Sequence, residues 1–409
     1  MKTYDIAVIG GGAAGLAAAI TALRGGTTVL VAEKEARIGK KLLATGNGRC
    51  NFTNLYTTKD RYHGTDPGFT VYANEKFSPE NNMAFFRSLG VMTKVEDEGK
   101  AFPLSLQAAA VLDMLRLEVE TRGADLRTGL RITSVKKENG GFLLCSAEET
   151  LYAKKVIVAA GGMASPELGG CRFGYDLLGK SGHSCSELAP ALVKIKTDNR
   201  LTNGLKGIKV EGKISLCRHG EIVGSEEGEI LFTEFGVSGP PVLQLSRLLC
   251  FEKPEAFTVV IDLLPEFSEE ELKNLLKERR TLLTEATLDF FVNGLVQKKV
   301  GQMLIKEALG CKLSRSIEGL TDDELFAVAR ILKGFSLPVW GVLGWKQAQV
   351  TAGGILTKDF DEKTMESKLV PGLYAAGEVL DIDGDCGGFN LQWAWASGRL
   401  AAESAVKSL

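Results

Sequence analysis

The sequence has few of the residues that build metal sites, and its cysteines do not form recognisable pairs. Eight cysteines are scattered along the chain without a CxxC pair, and there are only three histidines. This spacing argues against a zinc cluster, a dithiol redox motif and a disulfide scaffold. So few histidines also disfavour a His-rich metal centre. We therefore expect no metal, and reduced thiols in a cytoplasm.

A strong charge bias and long apolar runs are absent as well. Lys and Arg number 49 against 51 Asp and Glu, a net charge of −2. The chain thus lacks the global basic excess of a duplex-binding protein, and no nucleic-acid partner is expected. The apolar stretch from Ile6 to Ile20 is split by three glycines, and no run reaches the roughly 18 residues of a membrane span. No membrane association is expected, and the oligomeric state stays open.

Glycine is the residue present in excess. The chain has 409 residues, 44% hydrophobic and 24% charged, as in an ordinary soluble protein of about two to three domains. Its 47 glycines are about 11% of the chain, against about 7% on average. Such an excess in a globular chain indicates backbone that must approach something closely.

The N-terminal residues predict the opening βαβ unit of a nucleotide-binding sheet. Tyr4–Ile9 has the apolar pattern of a buried strand, Leu16–Arg24 that of a helix, and Thr28–Ala32 that of a second strand. Further along, the patterns predict helices over 79–90 and 106–122, and strands over 130–135, 142–145 and 156–159. After Pro190 short alternating runs predict antiparallel strands up to about Leu264. Residues 268–333 have helical spacing, with Ser268 as an N-cap.

The turn between the first strand and the first helix carries the sequence GxGxxG. Gly10 permits the tight turn, Gly12 lets backbone approach a pyrophosphate, and Gly15 lets the helix pack on the strand. Glu33 follows 18 residues after Gly15, where a carboxylate accepts hydrogen bonds from an adenosine ribose. A 2′-phosphate would be repelled there. The pattern therefore predicts binding of FAD or NAD rather than NADP.

Three further glycine-rich stretches exceed what a simple NAD site needs. They are GKKLLATGNGRCNFTN (39–54), KKVIVAAGG (154–162) and GLYAAGEVLDIDG followed by CGGFNLQWAWASG (372–398). Arg49 suits a charge-assisted bond to a phosphate or a flavin carbonyl. The last stretch places backbone N–H groups at the start of a helix, a suitable position for the electron-rich edge of a reduced flavin. There is no second GxGxxG for a permanent nicotinamide site.

Several residues in these stretches have an ordinary structural interpretation beside the functional one. For Cys50 and Cys386, packing of a small side chain is favoured over a thiolate at the flavin. Lys40 and Lys41 suit phosphates and solvent equally well. His183 is interpreted as a helix-end residue rather than an acid or base. Trp393 and Trp395 are interpreted as packing residues.

Four ordered blocks resemble the two-dinucleotide-binding flavoproteins. More closely, GNGRCNFTN, GEILFTEFGVSGPPVLQLSR, TAGGI and TMESKLVPGLYAAGEVLDIDGDCGGFNLQWAWASG are similar to the BaiN/YhiN-like family of NAD(P)/FAD-dependent oxidoreductases, also called aminoacetone oxidase family FAD-binding enzymes. The similarity covers nearly the whole chain. One departure is GGCRFGYD (169–176), where relatives tend to have GSTGDGY, so a relative's substrate does not transfer directly.

The resemblance implies an α/β fold with a Rossmann-like FAD-binding domain built from both chain ends. A β-barrel-like domain and a small helical domain would be inserted. The expected boundaries are 1–190 and 351–409 for the FAD domain, 191–267 and 336–350 for the β-rich domain, and 268–335 for the helical domain. The predicted cofactor-binding residues are Gly10, Gly12, Ala13, Ala14, Gly15, Glu33, Lys34, Lys41, Gly46, Asn47, Arg49, Cys50, Asn51, Val135, Ala160, Gly161, Gly377, Glu378, Gly387, Gly388, Phe389, Asn390 and Leu391.

The activity expected from the resemblance is that of an FAD-dependent reductase. NAD(P)H would visit transiently, and hydride would pass through flavin N5 to an activated C=C of a small molecule resembling a 3-oxo-Δ4 steroid or bile acid. One alternative is an oxidase of a small amine that uses O2. Alternatives of another class are a flavin-dependent RNA-modifying protein and a flavin-binding protein without enzymatic activity. No catalytic residue is singled out.

Overall fold

The structure is a computed structural model that describes residues 2–200 and 202–409. The chain divides into two compact units. The first combines the residues up to Pro190 with Ala348–Leu409, and the second is Ala191–Gln347. Both ends of the chain therefore fold into one unit.

Strands and helices occur in both units. In chain order the strands are β1 (Thr3–Ile9), β2 (Val29–Glu33), β3 (Thr53–Asn54), β4 (Tyr62–His63), β5 (Thr93–Val95), β6 (Lys100–Pro103), β7 (Asp125–Thr128), β8 (Ser134–Glu138), β9 (Gly141–Cys145), β10 (Thr150–Val158), β11 (Ala189–Ala191), β12 (Ile195–Thr197), β13 (Lys209–Arg218), β14 (Glu221–Thr233), β15 (Gly236–Ser238), β16 (Phe257–Asp262), β17 (Phe335–Val342), β18 (Val350–Ala352), β19 (Leu373–Ala375) and β20 (Asp383–Gly384). The helices are α1 (Ala13–Arg24), α2 (Lys40–Ala44), α3 (Val71–Lys76), α4 (Pro79–Ser88), α5 (Ala108–Thr121), α6 (Phe173–Gly179), α7 (Pro240–Ser246), α8 (Glu269–Leu282), α9 (Lys298–Leu309), α10 (Asp322–Lys333) and α11 (Phe389–Lys407).

The main sheet of the first unit has the strand order β7-β2-β1-β10-β9-β8, and β19 also pairs with β10. The pairs β1–β2, β1–β10, β2–β7 and β10–β19 are parallel. Their register aligns Ile9 with Ala32 and Val158, and Val158 with Ala375. Because the carboxyl ends of these strands meet at one edge, the residues that follow each strand are brought together there.

Two long helices complete this core by close packing. Helix α1 is apolar and buried on most of its surface, as expected for a helix inside a layered α/β core. Gly398 of α11 lies against α1, since a Cβ at this position would stand 2.3 Å from the carbonyl oxygen of Ala14. A larger residue at position 398 would therefore separate the two helices.

The second unit contains a closed barrel with the order β12-β15-β14-β13-β16-β17. Helices α8 and α10 both begin with a capping box, Ser268 with Glu271 and Thr321 with Glu324. The predicted N-cap at Ser268 is thereby confirmed. Barrel strands and helices share one apolar core, in which Leu272 of α8 is fully buried.

The expected Rossmann-like α/β class with an inserted barrel and helical part is confirmed by the strand order and the units. One local prediction is wrong. The sequence predicts a strand over 130–135, whereas β7 ends at Thr128 and β8 begins at Ser134. Residues 129–133 therefore lie outside both strands. The reason lies in the backbone, because the amides of Gly129 and Leu130 donate to the carbonyl oxygens of Glu35 and Glu33 and stay beside the end of β2, whereas pairing with β9 begins only at Ser134.

Candidate functional site

Of the three glycines of the GxGxxG motif, the fold requires Gly10 and Gly15 but not Gly12. A Cβ on Gly10 would stand 2.3 Å from the carbonyl oxygen of Ala159, and one on Gly15 would stand 1.9 Å from that of Gly10. At Gly12 the φ angle is an ordinary −85°, and a Cβ would meet no atom within 4 Å. The backbone at Gly12 therefore faces open space rather than protein.

The open space at Gly12 lies at the N-terminus of α1. No side chain caps this helix, and no acidic residue stands in its first turn. The first N–H groups of a helix have no partners within it, and the helix dipole adds positive potential at that end. The backbone at Ala13 and Ala14 belongs to this first turn. An uncapped start beside open space is a site for an anionic group such as a phosphate.

Glu33 ends β2 at the same edge of the sheet and is only 9% exposed. Its Oε2 accepts a hydrogen bond from the Gly11 amide at 2.7 Å, and its Oε1 accepts one from the Glu35 amide at 2.8 Å. The backbone thus fixes the carboxylate in position. Each carboxylate oxygen retains a second lone pair that can accept a bond from a hydroxyl.

The lysines near this edge all have carboxylate partners. Lys34 and Lys40 contact Glu35 at 3.2 and 2.7 Å, and these bonds lower the pKa of the Glu35 carboxyl, with Lys40 the larger cause. Lys41 contacts Glu378 at 2.6 Å. The sequence leaves two interpretations open for Lys40 and Lys41, contact with phosphates or simple solvation. Both lysines are ion-paired, so neither is simply solvated.

The loop that follows α2 is held in unusual backbone conformations. Gly46, Asn47 and Cys50 all have φ near +57°, in the left-handed region. Cys50 is fully buried, and burial raises its pKa to about 12, so the thiol is neutral and serves as packing. Arg49 is 44% exposed on its side chain, contacts Glu96 at 3.4 Å and lies over the Phe102 ring.

Asn51 and Gly388 meet where this loop approaches the start of α11. The Oδ1 atom of Asn51 is buried and has no hydrogen-bond partner in the described part of the chain. A Cβ on Gly388 would stand 2.8 Å from that atom and 2.6 Å from the carbonyl oxygen of Thr53. An acceptor left without a donor in a buried place is costly, so it points to a donor supplied from outside the protein.

The start of α11 is built much as that of α1 is. Gly388 is its N-cap with φ +105°, and no side chain caps the helix. The Asn54 side chain donates to the carbonyl oxygen of Gly387 at 2.9 Å, and the Asn390 side chain bonds the backbone of Gly384. The polypeptide thus fixes the turn while its amide groups remain uncapped. Phe389 is buried, and Leu391 packs partly buried against the core.

The strands β10 and β19 bring two more glycine segments to this edge. Ala159 donates to the carbonyl oxygen of Ile9, and Gly161 follows with φ +72° and open space where a Cβ would lie. A Cβ on Gly162 would stand 2.7 Å from Oε1 of Glu378. After β19, Gly377 donates to the Ser397 hydroxyl at 2.9 Å. Ala160 and Gly377 therefore lie in the same neighbourhood as Lys41 and Glu378.

The structure does not bring Val135 to this edge. It lies on β8, at the far end of the strand order from β2 and Glu33, and pairs with Leu144. The backbone beside Glu33 is that of Leu130 instead. The other predicted residues lie on the loops and helix starts described above.

Some residues at this place carried no functional prediction. Thr351 donates its amide to Oε1 of Glu378, and its hydroxyl accepts from the amides of Met163 and Ala164. It stands in the TAGGI block, which was the available signal. His63 and Asp385 are in contact at 2.7 Å. More than 300 residues separate them, so no spacing pattern could join them.

The histidine and tryptophans that were interpreted as structural have partners consistent with that role. The amide of His183 and its Nδ1 both bond the carbonyl oxygen of Leu178 at the end of α6, and burial lowers the His183 pKa. Trp393 and Trp395 are buried, and their indole N–H groups donate to the carbonyl oxygens of Gly377 and Phe52.

Among the described residues, no helix is long and apolar enough to cross a membrane.

The arrangement fits FAD by the chemistry of its groups. A pyrophosphate needs uncapped amides and free space, which Gly12 and the start of α1 offer. A ribose needs a fixed acceptor, which Glu33 offers. The pyrimidine part of a flavin has both acceptors and an N–H donor. The uncapped start of α11 and the unpartnered Asn51 Oδ1 are complementary to both.

Comparisons with known proteins agree with this geometry. The family model described as the HI0933-like protein Rossmann domain matches residues 4–404. The chain is 36% identical over 407 residues to a 3-dehydro-bile acid Δ(4,6)-reductase of Clostridium scindens, with 98% of this chain and 99% of that protein covered. It is 31% identical over 409 residues to a ribosomal RNA dihydrouridine synthase of Escherichia coli, with 99% of each covered.

A solved structure extends the comparison to the fold. The 3-ketosteroid-Δ4-(5α)-dehydrogenase of Rhodococcus jostii, crystallised with 4-androstene-3,17-dione, has a TM-score of 0.52 to this chain at 16% identity. The match covers 99% of this chain and 97% of that one. At this identity the likeness supports the fold alone.

Proposed function

Because the chain belongs to the HI0933-like Rossmann family of FAD-dependent oxidoreductases, we propose that it is a reductase that saturates a C=C bond conjugated with a carbonyl. Reducing equivalents come from NAD(P)H, and the substrate is a small organic molecule of the 3-oxo-Δ4 steroid or bile-acid type. The observation that carries this proposal is the 36% identity, over nearly the full length of both chains, to a bile acid Δ(4,6)-reductase.

The first unit is the proposed FAD-binding domain. FAD, when bound, supplies hydride transfer at its N5 atom. The start of α1 would hold the pyrophosphate, Glu33 the adenosine ribose, and the start of α11 with Asn51 the pyrimidine edge. Lys41 and Glu378 form an ion pair that bridges α2 and the turn after β19.

The remaining predicted residues take lesser parts in the proposal. Gly161 and Gly377 would supply backbone that approaches FAD closely. Arg49, in contrast, contacts Glu96 and lies over the Phe102 ring. The sequence contains no second GxGxxG turn that could bind NAD(P)H permanently. We therefore propose that it reaches the same site transiently. The scattered cysteines support a cytoplasmic location.

A second candidate function is the reduction of uridine in RNA. The relative from Escherichia coli is a ribosomal RNA dihydrouridine synthase that matches this chain end to end. The two candidates share one reaction in outline, because the uracil C=C bond is also conjugated with a carbonyl. The near-neutral charge of the chain favours the small substrate, since RNA binding draws on basic surface.

Anaerobic half-reactions test the proposal and separate the candidates. The purified holoenzyme is bleached with NADH or NADPH, and the reduced form is then mixed with a 3-oxo-Δ4 steroid or with a ribosomal RNA transcript. We expect bleaching by one nicotinamide and rapid reoxidation by the steroid, with a saturated product. Reoxidation by the transcript with formation of dihydrouridine supports the second candidate. Bleaching by a small amine, followed by peroxide formation in air, would contradict both.

A further inference from the structure

We propose that His63, held by Asp385, is the proton donor for this reduction. The inference rests on the proposed function, because saturation of a conjugated C=C bond needs a proton as well as a hydride. The observation that carries it is an imidazole–carboxylate pair beside the first turn of α11. Nε2 of His63 stands 2.7 Å from Oδ1 of Asp385.

The chain topology brings this pair to the proposed flavin edge. Strand β4 pairs antiparallel with β20, so that His63 lies opposite Asp383 and Tyr62 opposite Gly384. Strand β20 continues within four residues into Gly388 and α11. The Tyr62 hydroxyl donates to the carbonyl oxygen of Phe389 at 3.2 Å, which ties β4 to the first turn of that helix.

Asp385 is built into the fold as a fixed carboxylate. Its side chain is 8% exposed, and its amide donates to the carbonyl oxygen of Arg61 at 2.9 Å. Oδ2 contacts Arg61 at 3.3 Å, while Oδ1 contacts His63. A buried carboxylate needs charged or hydrogen-bonding partners. Arg61 supplies a positive charge, and the shorter contact to His63 orients the imidazole through Nε2.

The other ring nitrogen of His63, Nδ1, is available for proton transfer. Nδ1 makes no hydrogen bond with any residue that the structure describes, and one third of the side chain is exposed. Orientation of one imidazole nitrogen by a carboxylate, with the other presented to a reacting group, is how histidine serves as an acid or base. His183, by contrast, uses both ring nitrogens in bonds to Leu178 and Ser367.

The proposed step balances in atoms and electrons. Bound FAD, once reduced, would supply the hydride that forms the C–H bond at the β carbon of the substrate while the π electrons move toward the carbonyl. The His63 imidazolium forms the C–H bond at the α carbon as its Nδ1–H bond breaks. The neutral imidazole regains a proton from solvent. NAD(P)H restores the two electrons.

Half-reactions of the holoenzyme separate this role from a structural one. His63→Gln keeps a hydrogen-bonding side chain, and His219→Gln, in the exposed β13–β14 turn, is the matched control. Reduction by the nicotinamide that bleaches the wild-type enzyme should be unchanged in both variants. Reoxidation by a 3-oxo-Δ4 steroid should slow about a hundredfold in His63→Gln alone, the range expected when a general acid is lost.

The pH dependence and chemical rescue give further readouts. The rate of wild-type reoxidation should depend on pH through the proton donor, whereas the rate of the His63→Gln variant should lack that dependence. The charged groups at His63 are Asp385, Arg61 beside it, and Asp383 across the ladder. Added imidazole should restore reoxidation in His63→Ala, because a missing proton donor is replaceable and a missing scaffold is not.

Two results would overturn the inference while the proposed function stands. One is reoxidation of His63→Gln at the wild-type rate across the pH range. The other is slow reoxidation that imidazole does not rescue, together with a lower melting temperature of the apo-protein. Wild-type enzyme that neither the steroid nor the RNA transcript reoxidises would instead overturn the proposed function, and the inference with it.

Discussion

The helices α1 and α11 both begin at a glycine, and the two glycines are there for different reasons. Neither helix start has a capping side chain. A Cβ on Gly12 would meet nothing within 4 Å, whereas one on Gly388 would stand 2.6 Å from the carbonyl oxygen of Thr53. Gly12 has an ordinary φ of −85°, and Gly388 has +105°.

The difference teaches how a glycine motif should be interpreted. The polypeptide alone explains Gly388, because both the backbone angle and the neighbouring carbonyl exclude a side chain. No contact within the described protein explains Gly12, which agrees with the proposal that a phosphate lies beside it. The sequence makes these two glycines look alike. Only the atoms around them distinguish the two, because the protein leaves room at Gly12 for the proposed phosphate and leaves none for a side chain at Gly388.

Gly388→Ala should have the largest effect, and that effect should be on folding. The new methyl group would meet the Thr53 carbonyl, and the backbone would be held at φ +105°. Overpacking and left-handed strain together should lower the free energy of unfolding by about 3 kcal/mol. Thermal and denaturant unfolding of the apo-protein measure this. An apo-protein as stable as wild type would show that the turn at Gly388 relaxes freely.

Gly12→Ala should reverse the pattern. The methyl group meets no protein atom, so the apo-protein should unfold within about 0.5 kcal/mol of wild type. In the holoenzyme the methyl group would occupy the space proposed for the pyrophosphate. FAD affinity should then fall by about 2 kcal/mol, the cost of overpacking. Equilibrium titration of the apo-protein with FAD measures this loss of affinity. An affinity equal to that of wild type would contradict the placement of the phosphate at the start of α1.

Glu33→Gln tests the proposed ribose site, which lies beside the pyrophosphate site at the start of α1. The amide group cannot accept from both the Gly11 and Glu35 amides, so one buried hydrogen bond is lost and the apo-protein should be slightly less stable. FAD affinity should fall about tenfold through a weaker bond to the ribose. Glu118→Gln is the control, because it removes a partly buried ion-paired carboxylate on α5. Equal affinity losses in both variants would contradict a specific role.

The sequence predicts the parts of this site that depend on local geometry. The turn at Gly10, the helix that follows it and the carboxylate at the end of β2 lie within 33 residues, where strand and helix patterns fix their mutual positions. The capping box at Ser268 is local in the same way. These predictions depend on covalent neighbours, and they hold in the structure.

What the sequence could not predict depends on contacts between distant segments. Arg49 is paired with Glu96 and Phe102 through the packing of its loop on β5 and β6, which no motif encodes. Val135 lies at the far edge of the sheet because its strand β8 pairs with β9. The pair of His63 and Asp385 exists only because β4 and β20 form a ladder.

Asn51→Ala should have the smallest effect, and it tests whether the start of α11 also faces a ligand. The Oδ1 atom has no partner in the described protein, so its removal should leave the apo-protein at least as stable as wild type. If Oδ1 accepts from the flavin, FAD affinity should fall about threefold, the loss of one neutral hydrogen bond.

Asn54→Ala is the matched control, because its side chain donates to the Gly387 carbonyl and its loss should destabilise the apo-protein by about 1 kcal/mol. Unfolding of both apo-proteins and FAD titration of both variants are measured on the same preparations. An Asn51→Ala protein that loses stability but keeps its FAD affinity would mean that α11 begins at a turn made for packing alone, and α1 would then be the one helix start of this pair that meets the cofactor.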